Sequence, residues 1–317
     1  MKCLIIGGAG LIGSYVSNLL VETGRDVYVL GRHPSPIHEL SKKATYLMGD
    51  FRNRVILRSI LEDTSEVIDL AYSTVPKTSF DNPLYDIFSN LPMGVTLLQE
   101  AAHIHLNKMV FVSSGGTVYG KASSLPIDET HPTNPISPYG ITKLTMENYA
   151  RMFALVYSLP IAIARPSNAY GEYQTAFTGQ GFIATAIQSV LQGKKIDIYG
   201  KQGTIRDYLH ASDIARGVVS ILEHGETGQA YNIGSGVGRN NMEVMAAISP
   251  LAVQARLSPK IDVLPERPFD VPANVLSSQK LYSISGWQPK ISFEEGIMRV
   301  WSSLLQRSGT TTDNSIS

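Results

Sequence analysis

A glycine-rich turn close to the N-terminus constrains the fold of this 317-residue chain more than any other feature. The apolar run at residues 3–6 is typical of a buried parallel strand. It leads directly into Gly-Gly-Ala-Gly-Leu-Ile-Gly at residues 7–13, and an apolar pattern with helical spacing follows and ends near Gly24. A strand, a glycine turn and a helix in this order predict the first unit of an α/β fold with a parallel sheet.

The glycines of this turn, Gly7, Gly10 and Gly13, allow the backbone to turn tightly and to approach a pyrophosphate closely. The helix that begins at Leu11 and Ile12 directs free N–H groups and the positive end of its dipole at the same point. The spacing Gly-x-x-Gly-x-x-Gly differs by one residue from the more familiar Gly-x-Gly-x-x-Gly. We therefore predict that these five residues bind a dinucleotide cofactor, against the alternative of a tight turn without a ligand.

The second predicted strand, residues 26–30, ends without the acidic residue that often binds the ribose hydroxyls of NAD. Gly31 and Arg32 stand there instead, and a guanidinium group suits the 2′-phosphate of NADP. A solvated loop residue is the alternative for Arg32. NAD and NADP therefore both stay open at this point.

Three further apolar runs, at residues 45–48, 67–71 and 108–114, predict strands that alternate with helices. This alternation predicts a doubly wound parallel sheet, in which ligands bind beyond the carboxyl ends of the strands. Asp50 and Phe51 follow the first of these runs. We predict that Asp50 accepts from an adenine amino group and that Phe51 lies beside the ring, although an Asp at such a position also caps helices.

Composition limits the possible partners of the chain. Lys plus Arg and Asp plus Glu each number 27, so the formal net charge is zero, while hydrophobic residues make up 43%. These values allow a large core and argue against broad electrostatic binding to nucleic acid or to an anionic membrane. Cys3 is the one cysteine, so no intrachain disulfide can form. Because we find neither a cleavable leader nor an apolar run of about 18 residues, we expect a cytoplasmic protein.

A tyrosine and a lysine share one face of a predicted helix. Ser137 and Pro138 suit the N-cap and the first turn of that helix, and Tyr139 and Lys143 are four residues apart. A phenol has a pKa of about 10, too high for a base at neutral pH, but a nearby ammonium group favours the phenolate. We predict that Lys143 lowers the pKa of Tyr139 and that Tyr139 moves a proton on an alcohol or sugar hydroxyl. The alternative is a pair of side chains on a solvated helix face.

The chain resembles a known family once the segment after the fifth strand is included. Ser-Gly-Gly-Thr-Val-Tyr-Gly at residues 114–120 precedes Tyr139 and Lys143. Together with the glycine turn, these motifs are similar to those of the extended short-chain dehydrogenase/reductase family, in its nucleotide-sugar epimerase/dehydratase branch. The resemblance runs in the same order from Gly7 to about Trp301.

The resemblance implies a domain organisation and a set of cofactor ligands. It implies a Rossmann domain at residues 1–166 and a smaller α/β nucleotide-sugar-binding region at 167–307 that is partly interleaved with the first domain. Residues 308–317 are polar and have no apolar pattern, which predicts a disordered tail. Tyr139 and Lys143 belong to the cofactor ligands as well as to the catalytic pair. The further cofactor ligands that the resemblance adds to the glycine turn are Leu70, Ala71, Tyr72, Ser113, Pro166 and Ser167.

The resemblance also implies a substrate site. Its residues here are Asn90, Thr117, Asn168, Tyr199, Arg206, Arg267, Asp270 and Asn274. In the family, the position of Arg206 binds the diphosphate and that of Tyr199 lies against the base, as guanidinium and aromatic groups are suited to do. The position of Asn274 sets the size of the sugar pocket. Structural ion pairs with Asp207 and Asp270 are the alternative for Arg206 and Arg267.

Two departures from the family pattern bear on the chemistry. Many relatives have a Ser or Thr at the position of Gly115, where its hydroxyl helps the tyrosine to transfer a proton. We predict that Thr117 supplies the missing hydroxyl, with Ser114 as the other candidate. Dehydratases of this branch carry Asp-Glu where this chain has Gly116 and Thr117, so the elimination of water loses its acid and base.

The sequence therefore predicts a nucleotide-sugar epimerase, with UDP-hexose 4-epimerase as the first choice, that uses tightly bound NAD or NADP through a transient keto-sugar. One alternative is an NADP-dependent reductase or dehydrogenase of the same branch, favoured by Arg32. Another is a weakly catalytic, cofactor-binding regulatory protein, favoured by Gly115. From the family we expect a role in carbohydrate metabolism such as polysaccharide biosynthesis, and a homodimer formed through helices near residues 84–103 and 139–157. We expect no metal ion, nucleic acid or membrane as a partner.

Overall fold

The structure is a computed structural model that describes residues 1–267 and 270–310. Its strands are β1 (Lys2–Ile6), β2 (Asp26–Gly31), β3 (Thr45–Met48), β4 (Glu66–Asp69), β5 (Lys108–Val112), β6 (Ile161–Pro166), β7 (Asn168–Tyr170), β8 (Lys195–Tyr199), β9 (Ile205–His210), β10 (Ala230–Ile233), β11 (Gly238–Arg239), β12 (Lys260–Leu264) and β13 (Ala273–Asn274). Its helices are α1 (Leu11–Glu22), α2 (Arg54–Leu61), α3 (Pro76–Asp81), α4 (Pro83–Ala101), α5 (Gly115–Val118), α6 (Pro138–Tyr157), α7 (Phe182–Leu191), α8 (Ala211–His224), α9 (Asn241–Gln254), α10 (Gln279–Ser285) and α11 (Phe293–Thr310). Of the helices in these two ranges, none has the length and apolar character needed to span a membrane.

The largest sheet has seven parallel strands in the order β10-β6-β5-β4-β1-β2-β3. The chain starts in the middle at β1, moves outward to β3 and then crosses to β4 on the other side, which is the doubly wound arrangement that the sequence predicted. Ile6, at the end of β1, is the register partner of both Leu30 and Asp69. The carboxyl ends of the central strands therefore meet at one edge of the sheet, next to the glycine turn.

Helices cover both faces of this sheet, as buried parallel strands require. On one face, α1 and α8 pack in a cluster that includes Val16 and Ile221. On the other face, α4 and α6 pack in a cluster that includes Leu97 and Ala150. Each fully buried aliphatic side chain of this size contributes about 1.5–3 kcal/mol, so the apolar strands and helix faces together stabilise the layered arrangement.

A smaller α/β region follows β6, as the sequence predicted. Strands β7, β9, β11 and β13 form one small sheet, β8 and β12 form another, and α7, α9 and α11 share an apolar core. The chain then returns to the large sheet, because α8 packs beside α1 and β10 pairs with β6 as the seventh strand. The sequence analysis missed β10, since four residues that include the polar Asn232 form too weak an apolar pattern.

Several predicted boundaries differ from the structure. The run at residues 108–114 is a strand only as far as Val112, and the short helix α5 follows it. The last helix extends to Thr310, so residues 308–310 of the predicted disordered tail are helical. The rest of that tail, residues 311–317, and the two residues at 268–269 lie outside the described residues.

Candidate active site

The glycine turn between β1 and α1 is too tight for side chains. A Cβ atom added to Gly13 would lie 2.3 Å from the carbonyl oxygen of Gly7. Gly7 itself has a φ of +79°, and a Cβ atom there would lie 3.0 Å from the amide nitrogen of Ala71. Gly10, the N-cap of α1, has no side chain with which to satisfy the free N–H groups of the first turn. The turn is therefore a backbone cradle with available donors, which fits a dinucleotide pyrophosphate.

A cleft of about 290 Å³ opens in front of this turn, along the carboxyl ends of the central strands. Many of the predicted cofactor residues line it, namely Gly7, Gly10, Arg32, Asp50, Phe51, Leu70, Ala71 and Tyr72. Pro166 and Ser167 stand at the end of β6, and Ser167 is buried with a hydroxyl that has no hydrogen-bond partner among the described residues. These residues fit an elongated dinucleotide with polar groups along its length.

Tyr46 occupies the space beside Gly31 at the end of β2. A Cβ atom at Gly31 would lie 2.4 Å from the hydroxyl of Tyr46, which donates to the carbonyl oxygen of His33 at 2.9 Å. Arg32, the next residue, is exposed at the rim of the cleft. An acidic side chain at Gly31 would therefore require Tyr46 to move, and Arg32 brings a positive charge to this end of the cleft.

Asp50 lines the same cleft but is already paired. Its carboxylate forms a salt bridge with Arg52 and accepts from the backbone N–H of that residue at 3.0 Å. The side-chain hydrogen bond with Arg52 is the main reason that the pKa of Asp50 lies below its usual value. Asn53, rather than Asp50, caps α2 by accepting from the N–H groups of Val55 and Ile56. An adenine amino group would therefore share Asp50 with Arg52.

The helix that carries the tyrosine and the lysine begins as the sequence predicted. Ser137 accepts from the N–H of Gly140 at 3.1 Å, and Pro138 is the first residue of α6. Lys143 is buried and donates to the carbonyl oxygen of Val112, at the end of β5, at 2.8 Å. The ammonium group is therefore anchored at the sheet edge where the first cleft lies.

Burial dominates the electrostatics of the tyrosine and the lysine. It raises the pKa of Tyr139 above that of an ordinary phenol; a hydrogen bond with Ser114 opposes this and Asp86 adds to it. Burial also lowers the pKa of Lys143 to about 8, against the effect of nearby buried acids. The prediction that Lys143 lowers the pKa of Tyr139 is thus not met in this arrangement. The lysine nitrogen lies 5.9 Å from the centre of the Tyr139 ring but 4.0 Å from that of Tyr72.

The structure separates the two candidate hydroxyls, Thr117 and Ser114. The Ser114 side chain is among the influences that lower the pKa of Tyr139. The Thr117 hydroxyl donates instead to the carbonyl oxygen of Ser114 at 3.4 Å, because this segment forms the short helix α5. A side chain at Gly115 would not fit, since a Cβ atom there would lie 2.5 Å from the Leu276 side chain. The sequence did not show the helical turn that separates the two candidate hydroxyls.

A second cleft of about 290 Å³ lies in the smaller region. Most of the predicted substrate residues line it, namely Asn168, Tyr199, Arg206, Arg267 and Asp270. Arg206 donates through Nη1 to the carbonyl oxygens of Ile205 and Val271, at 2.8 Å each. Asp207 accepts from the N–H of Ser235 at 2.9 Å and from its hydroxyl, so Asp207 and Arg206 do not form the structural ion pair that the sequence left open. The guanidinium of Arg206 is thus held at the cleft by backbone carbonyls.

Arg267 does form the ion pair that the sequence left open. Its Nε lies 2.9 Å from the carboxylate of Asp270. Its guanidinium also lies 3.8 Å from the centre of the Tyr199 ring, a cation–π stacking distance. The second cleft therefore contains a flat, positively charged surface made from an arginine and an aromatic ring.

Asn90 and Asn274 lie outside the second cleft. Asn90, on α4, lines the first cleft, where its side chain accepts from the N–H of Ser73 at 2.8 Å and donates to the carbonyl oxygen of Asp86 at 2.7 Å. Asn274 is buried and donates to the carbonyl oxygen of Gly115 at 3.1 Å, while its amide oxygen has no hydrogen-bond partner among the described residues. Both amides therefore hold backbone segments of the site, a role that the sequence did not reveal.

The sequence analysis missed a buried acid that joins two helices of the site. Asp86, on α4, is fully buried and accepts from the hydroxyls of Thr142, at 2.6 Å, and Thr74. Because Thr142 immediately precedes Lys143, this network fixes the start of α6 against α4. A signal was present, since Asp86 lies four residues before Asn90 and hence on the same helix face.

Tyr139 lies beside the first cleft. Its ring contacts that of Tyr72, which lines that cleft, with the ring centres 4.8 Å apart. The next residue, Gly140, lies against the segment after β5, because a Cβ atom there would be 2.9 Å from the carbonyl oxygen of Thr117. In the same segment, a Cβ atom at Gly116 would be 3.2 Å from the side-chain oxygen of Asn168, which lines the second cleft. The segment after β5 therefore links the start of α6 to the second cleft. Across residues 1–267 and 270–310, His, Cys, Asp and Glu side chains form no group of three or more that could hold a metal ion.

Known proteins share this arrangement along the whole chain. The UDP-glucose 4-epimerase of Mycolicibacterium smegmatis is 32% identical over 308 residues, which cover 94% of this chain and 97% of that protein. A crystal structure of the Thermotoga maritima UDP-glucose 4-epimerase with UDP-glucose matches with a TM-score of 0.88 at 29% identity, covering 98% of this chain and 100% of that one. The Thermus thermophilus UDP-glucose 4-epimerase in complex with NAD matches with a TM-score of 0.88 at 30% identity, covering 96% and 99%.

The fold agrees with these solved structures over nearly the whole chain. The family model described as "NAD dependent epimerase/dehydratase family" matches residues 3–234, which include the glycine turn, the Tyr139–Lys143 pair and Arg206. The chain therefore belongs to the NAD dependent epimerase/dehydratase family of extended short-chain dehydrogenases/reductases.

Proposed function

We propose that the protein is a UDP-hexose 4-epimerase that works through a transient keto-sugar. The observation that carries the proposal is the position of Tyr139 beside a cleft suited to a dinucleotide, with the segment after β5 leading from α6 to a cleft lined by two arginines. Oxidation and re-reduction of one sugar carbon need a proton-transferring group where the two ligands meet. The UDP-glucose 4-epimerases that resemble the chain over nearly its full length support this substrate class.

The proton-transfer step is assigned to three side chains. When NAD is bound, it supplies the acceptor for a hydride from the sugar carbon and returns that hydride afterwards. Tyr139 takes the proton of the sugar hydroxyl during oxidation and gives it back during reduction. Ser114, whose side chain is among the influences on the pKa of the phenol, extends the proton path toward the second cleft. Lys143, while protonated, contributes a positive charge that opposes the effect of burial on the phenol.

The second cleft supplies groups for a nucleoside diphosphate. Arg206 is fixed by two carbonyl oxygens and is suited to bind the diphosphate oxygens. The stack of Arg267 on Tyr199 offers a flat surface for a nucleobase. From there the sugar would extend past Asn168 toward the phenol. The size role of Asn274 stays part of the proposal, because this side chain lies behind Gly115.

An NADP-dependent reductase of the same family is the second candidate. The observation that favours it is the exposed Arg32 beside Gly31, at the end of the cleft where a 2′-phosphate would lie. A net reductase must release its nucleotide in every turnover, whereas an epimerase re-reduces its own product and keeps the nucleotide bound. Gel filtration of purified protein, followed by mass spectrometry of the nucleotide that remains, separates the two.

A homodimer is also part of the proposal. Large apolar side chains are exposed along α4 and α6, with Leu84 at 63%, Phe88 at 68% and Leu155 at 86% of their full exposure. Contiguous exposed apolar residues of this size favour association with another surface. The two helices pack side by side, so a second copy of the chain could cover both of them together.

The test of the function is a product assay. Purified protein is incubated with UDP-glucose, UDP-galactose and their N-acetyl and uronic acid forms, and the sugars are followed by proton NMR. Inversion at C4 without added cofactor is expected for at least one substrate. Tyr139→Phe should retain the fold and the bound nucleotide and lose this activity. Turnover by Tyr139→Phe within a factor of about two of the parent would exclude the tyrosine as the proton-transferring group.

A further inference from the structure

We propose that Asp69 is a positioning residue of this site, whose carboxylate keeps the side chain of Lys143 charged. Asp69 is the last residue of β4 and lines the first cleft. It lies next to Leu70 and Ala71, against which the glycine turn packs. The inference rests on the proposed role of Lys143 and adds a group that supports it.

The pleat of β4 sets the direction of the Asp69 side chain. Residues two apart on a strand point to the same face of the sheet. Val67 packs in the apolar cluster that contains Met146 and Ala150 of α6, so Asp69 also points toward α6. Lys143 lies on that helix, one turn before Met146. The pleat therefore directs a carboxylate toward the part of α6 that carries the lysine.

Lys143 reaches the same point from the helix. Its Nζ lies 2.8 Å from the carbonyl oxygen of Val112 and 5.1 Å from the centre of the Phe111 ring. Phe111 is the register partner of Asp69 on the neighbouring strand, and adjacent strands lie about 4.8 Å apart. The ammonium and the carboxylate thus share one edge of the cleft. They are not in direct contact, because no salt bridge of the described residues joins Asp69 to Lys143.

Burial makes the two charges depend on each other. Asp69 is 4% exposed and accepts from the N–H of Ala71 at 3.1 Å. Burial raises the pKa of Asp69 to about 6, and Lys143 is the main influence in the opposite direction. Burial lowers the pKa of Lys143 to about 8, and Asp69 is the largest opposing influence, ahead of Glu147 and Asp86.

The other groups that face Lys143 compensate its charge less well. Glu147, one turn further along α6, already forms salt bridges with Arg165 at 2.6 Å and Arg151 at 2.9 Å. Asp86, on α4, accepts from two threonine hydroxyls. Tyr72 presents its ring to the lysine, 4.0 Å from Nζ, and remains a neutral phenol because burial raises its pKa. Tyr139 lies further from the lysine, with its ring centre 5.9 Å from Nζ. Among the described residues, Asp69 forms no salt bridge, and unlike Asp86 on α4 it lies at the end of a strand next to β5, whose last carbonyl oxygen binds the lysine.

The expected sign follows from these influences. Asp69→Asn removes a negative charge that favours the protonated lysine. Burial then lowers the pKa of Lys143 further, to below about 8. A change of about one pH unit is expected for the loss of one nearby opposite charge. The lysine then loses its proton within the neutral range, and the alkaline side of the pH–activity profile moves to lower pH by the same amount.

NMR of the lysine Nζ measures this charge directly. Protein labelled with nitrogen-15 at lysine is titrated as purified, and the Lys143 signal is assigned by its loss in Lys143→Met. The titration midpoint of Lys143 should fall by about one pH unit in Asp69→Asn. Glu66→Gln is the matched control, because it removes another buried carboxylate of β4, next to Arg25, and should leave the midpoint unchanged. An unchanged midpoint in Asp69→Asn, or an equal fall in both variants, would overturn the inference.

The reciprocal measurement does not require Asp69→Asn to fold. Coupling between two titrating groups is mutual, so the loss of Lys143 must affect Asp69 by the same amount. In Lys143→Met, a carbon-13 titration of the Asp69 carboxyl should show a midpoint about one unit above that of the parent. A midpoint equal to the parent's would also overturn the inference. Both readouts are independent of turnover, so a failure of the epimerase proposal and a failure of this inference are distinguishable.

Discussion

The hydroxyl of Thr117 donates to the carbonyl oxygen of Ser114 at 3.4 Å, so this hydroxyl is engaged within the short helix α5. The side chain of Ser114 is instead among the influences that lower the pKa of Tyr139. We therefore propose that Ser114 is the hydroxyl that passes a proton between the sugar and the phenol.

We expect Ser114→Ala to lower kcat by at least about tenfold, because a group that assists proton transfer contributes on the order of 10²–10⁴ in rate. Thr117→Val should lower kcat by less than about threefold, since its lost hydrogen bond is worth about 1 kcal/mol and lies within a helical turn. Steady-state kinetics of both variants, with circular dichroism as a check of folding, decides between them. A larger loss of kcat in Thr117→Val than in Ser114→Ala would show that Thr117 supplies the catalytic hydroxyl.

We expect Arg206→Ala to weaken the binding of UDP and UDP-sugars much more than the binding of NAD. A charged hydrogen bond left unmade costs about 1.5–3 kcal/mol, so the affinity should fall at least about tenfold. Isothermal titration calorimetry with UDP and with NAD measures both effects.

Arg239 offers a matched control for that variant. It is the register partner of Arg206 on the adjacent strand β11, and its guanidinium lies 4.2 Å from the centre of the Phe293 ring, away from the second cleft. Arg239→Ala should leave the UDP affinity within about twofold of the parent. Equal losses in both variants would show that Arg206 acts through the stability of the small sheet.

We expect Arg32→Ala to weaken the binding of NADP without changing that of NAD. Arg32 is exposed at the end of the first cleft, beside a glycine that leaves no acid to repel a phosphate. A guanidinium–phosphate contact of about 1.5–3 kcal/mol corresponds to a loss of about tenfold or more. Competition of the two nucleotides for protein freed of its cofactor gives the ratio. The same ratio in parent and variant would make Arg32 a solvated loop residue.

We expect Phe88→Glu to convert the proposed homodimer to a monomer, because a charge in an apolar interface is desolvated without a partner. Phe88 lies on α4 and is 68% exposed. Val253→Glu on α9 is the control, since Val253 is 70% exposed on a helix outside the proposed interface. Sedimentation velocity of the three proteins at equal concentration measures the state. A parent that is monomeric at micromolar concentration would refute the proposed interface.

We expect the protein to invert a sugar carbon without eliminating water. Elimination needs one group to take a C–H proton and another to protonate the leaving hydroxyl. Gly116 has no side chain, and the Thr117 hydroxyl is engaged with the Ser114 carbonyl oxygen. Proton NMR of the products from UDP-hexoses should show C4 epimers and no 4-keto-6-deoxy sugar. Accumulation of such a keto-sugar, or stoichiometric consumption of NADPH, would contradict the proposal.

The strands of the large sheet were predictable where the chain forms uninterrupted apolar runs between glycine and helix signals, as in β1 and β5. Short strands depend on partners distant in sequence, so local patterns could not reveal β7 of the smaller region or β10 of the large sheet. The residues of the site divide in the same way, into those that local motifs predict and those that only the fold brings together. Motif spacing predicted Tyr139 and Lys143, but the short helix after β5 decides which hydroxyl reaches the phenol.

The electrostatics of the site were the least predictable part. Spacing on a helix suggested that Lys143 would lower the pKa of Tyr139, yet burial is the largest influence on the pKa of each residue and raises that of Tyr139. Burial is a property of the whole packed structure, and no sequence window of one helix contains it. Asp69 and Asp86 could be identified as parts of the site only from their neighbours in the fold, which are β5 for Asp69 and α6 for Asp86.

The position of β10 links the two regions in one folding reaction. A protein cut after β6 would lose its seventh strand and leave the backbone of β6 unpaired along one side, which is a template for intermolecular strand pairing. It would also lose α8, which covers one face of the sheet. The nucleotide-binding half is thus not a separable module, and the chain should unfold in one cooperative transition in which the dinucleotide and UDP-sugar clefts are lost together.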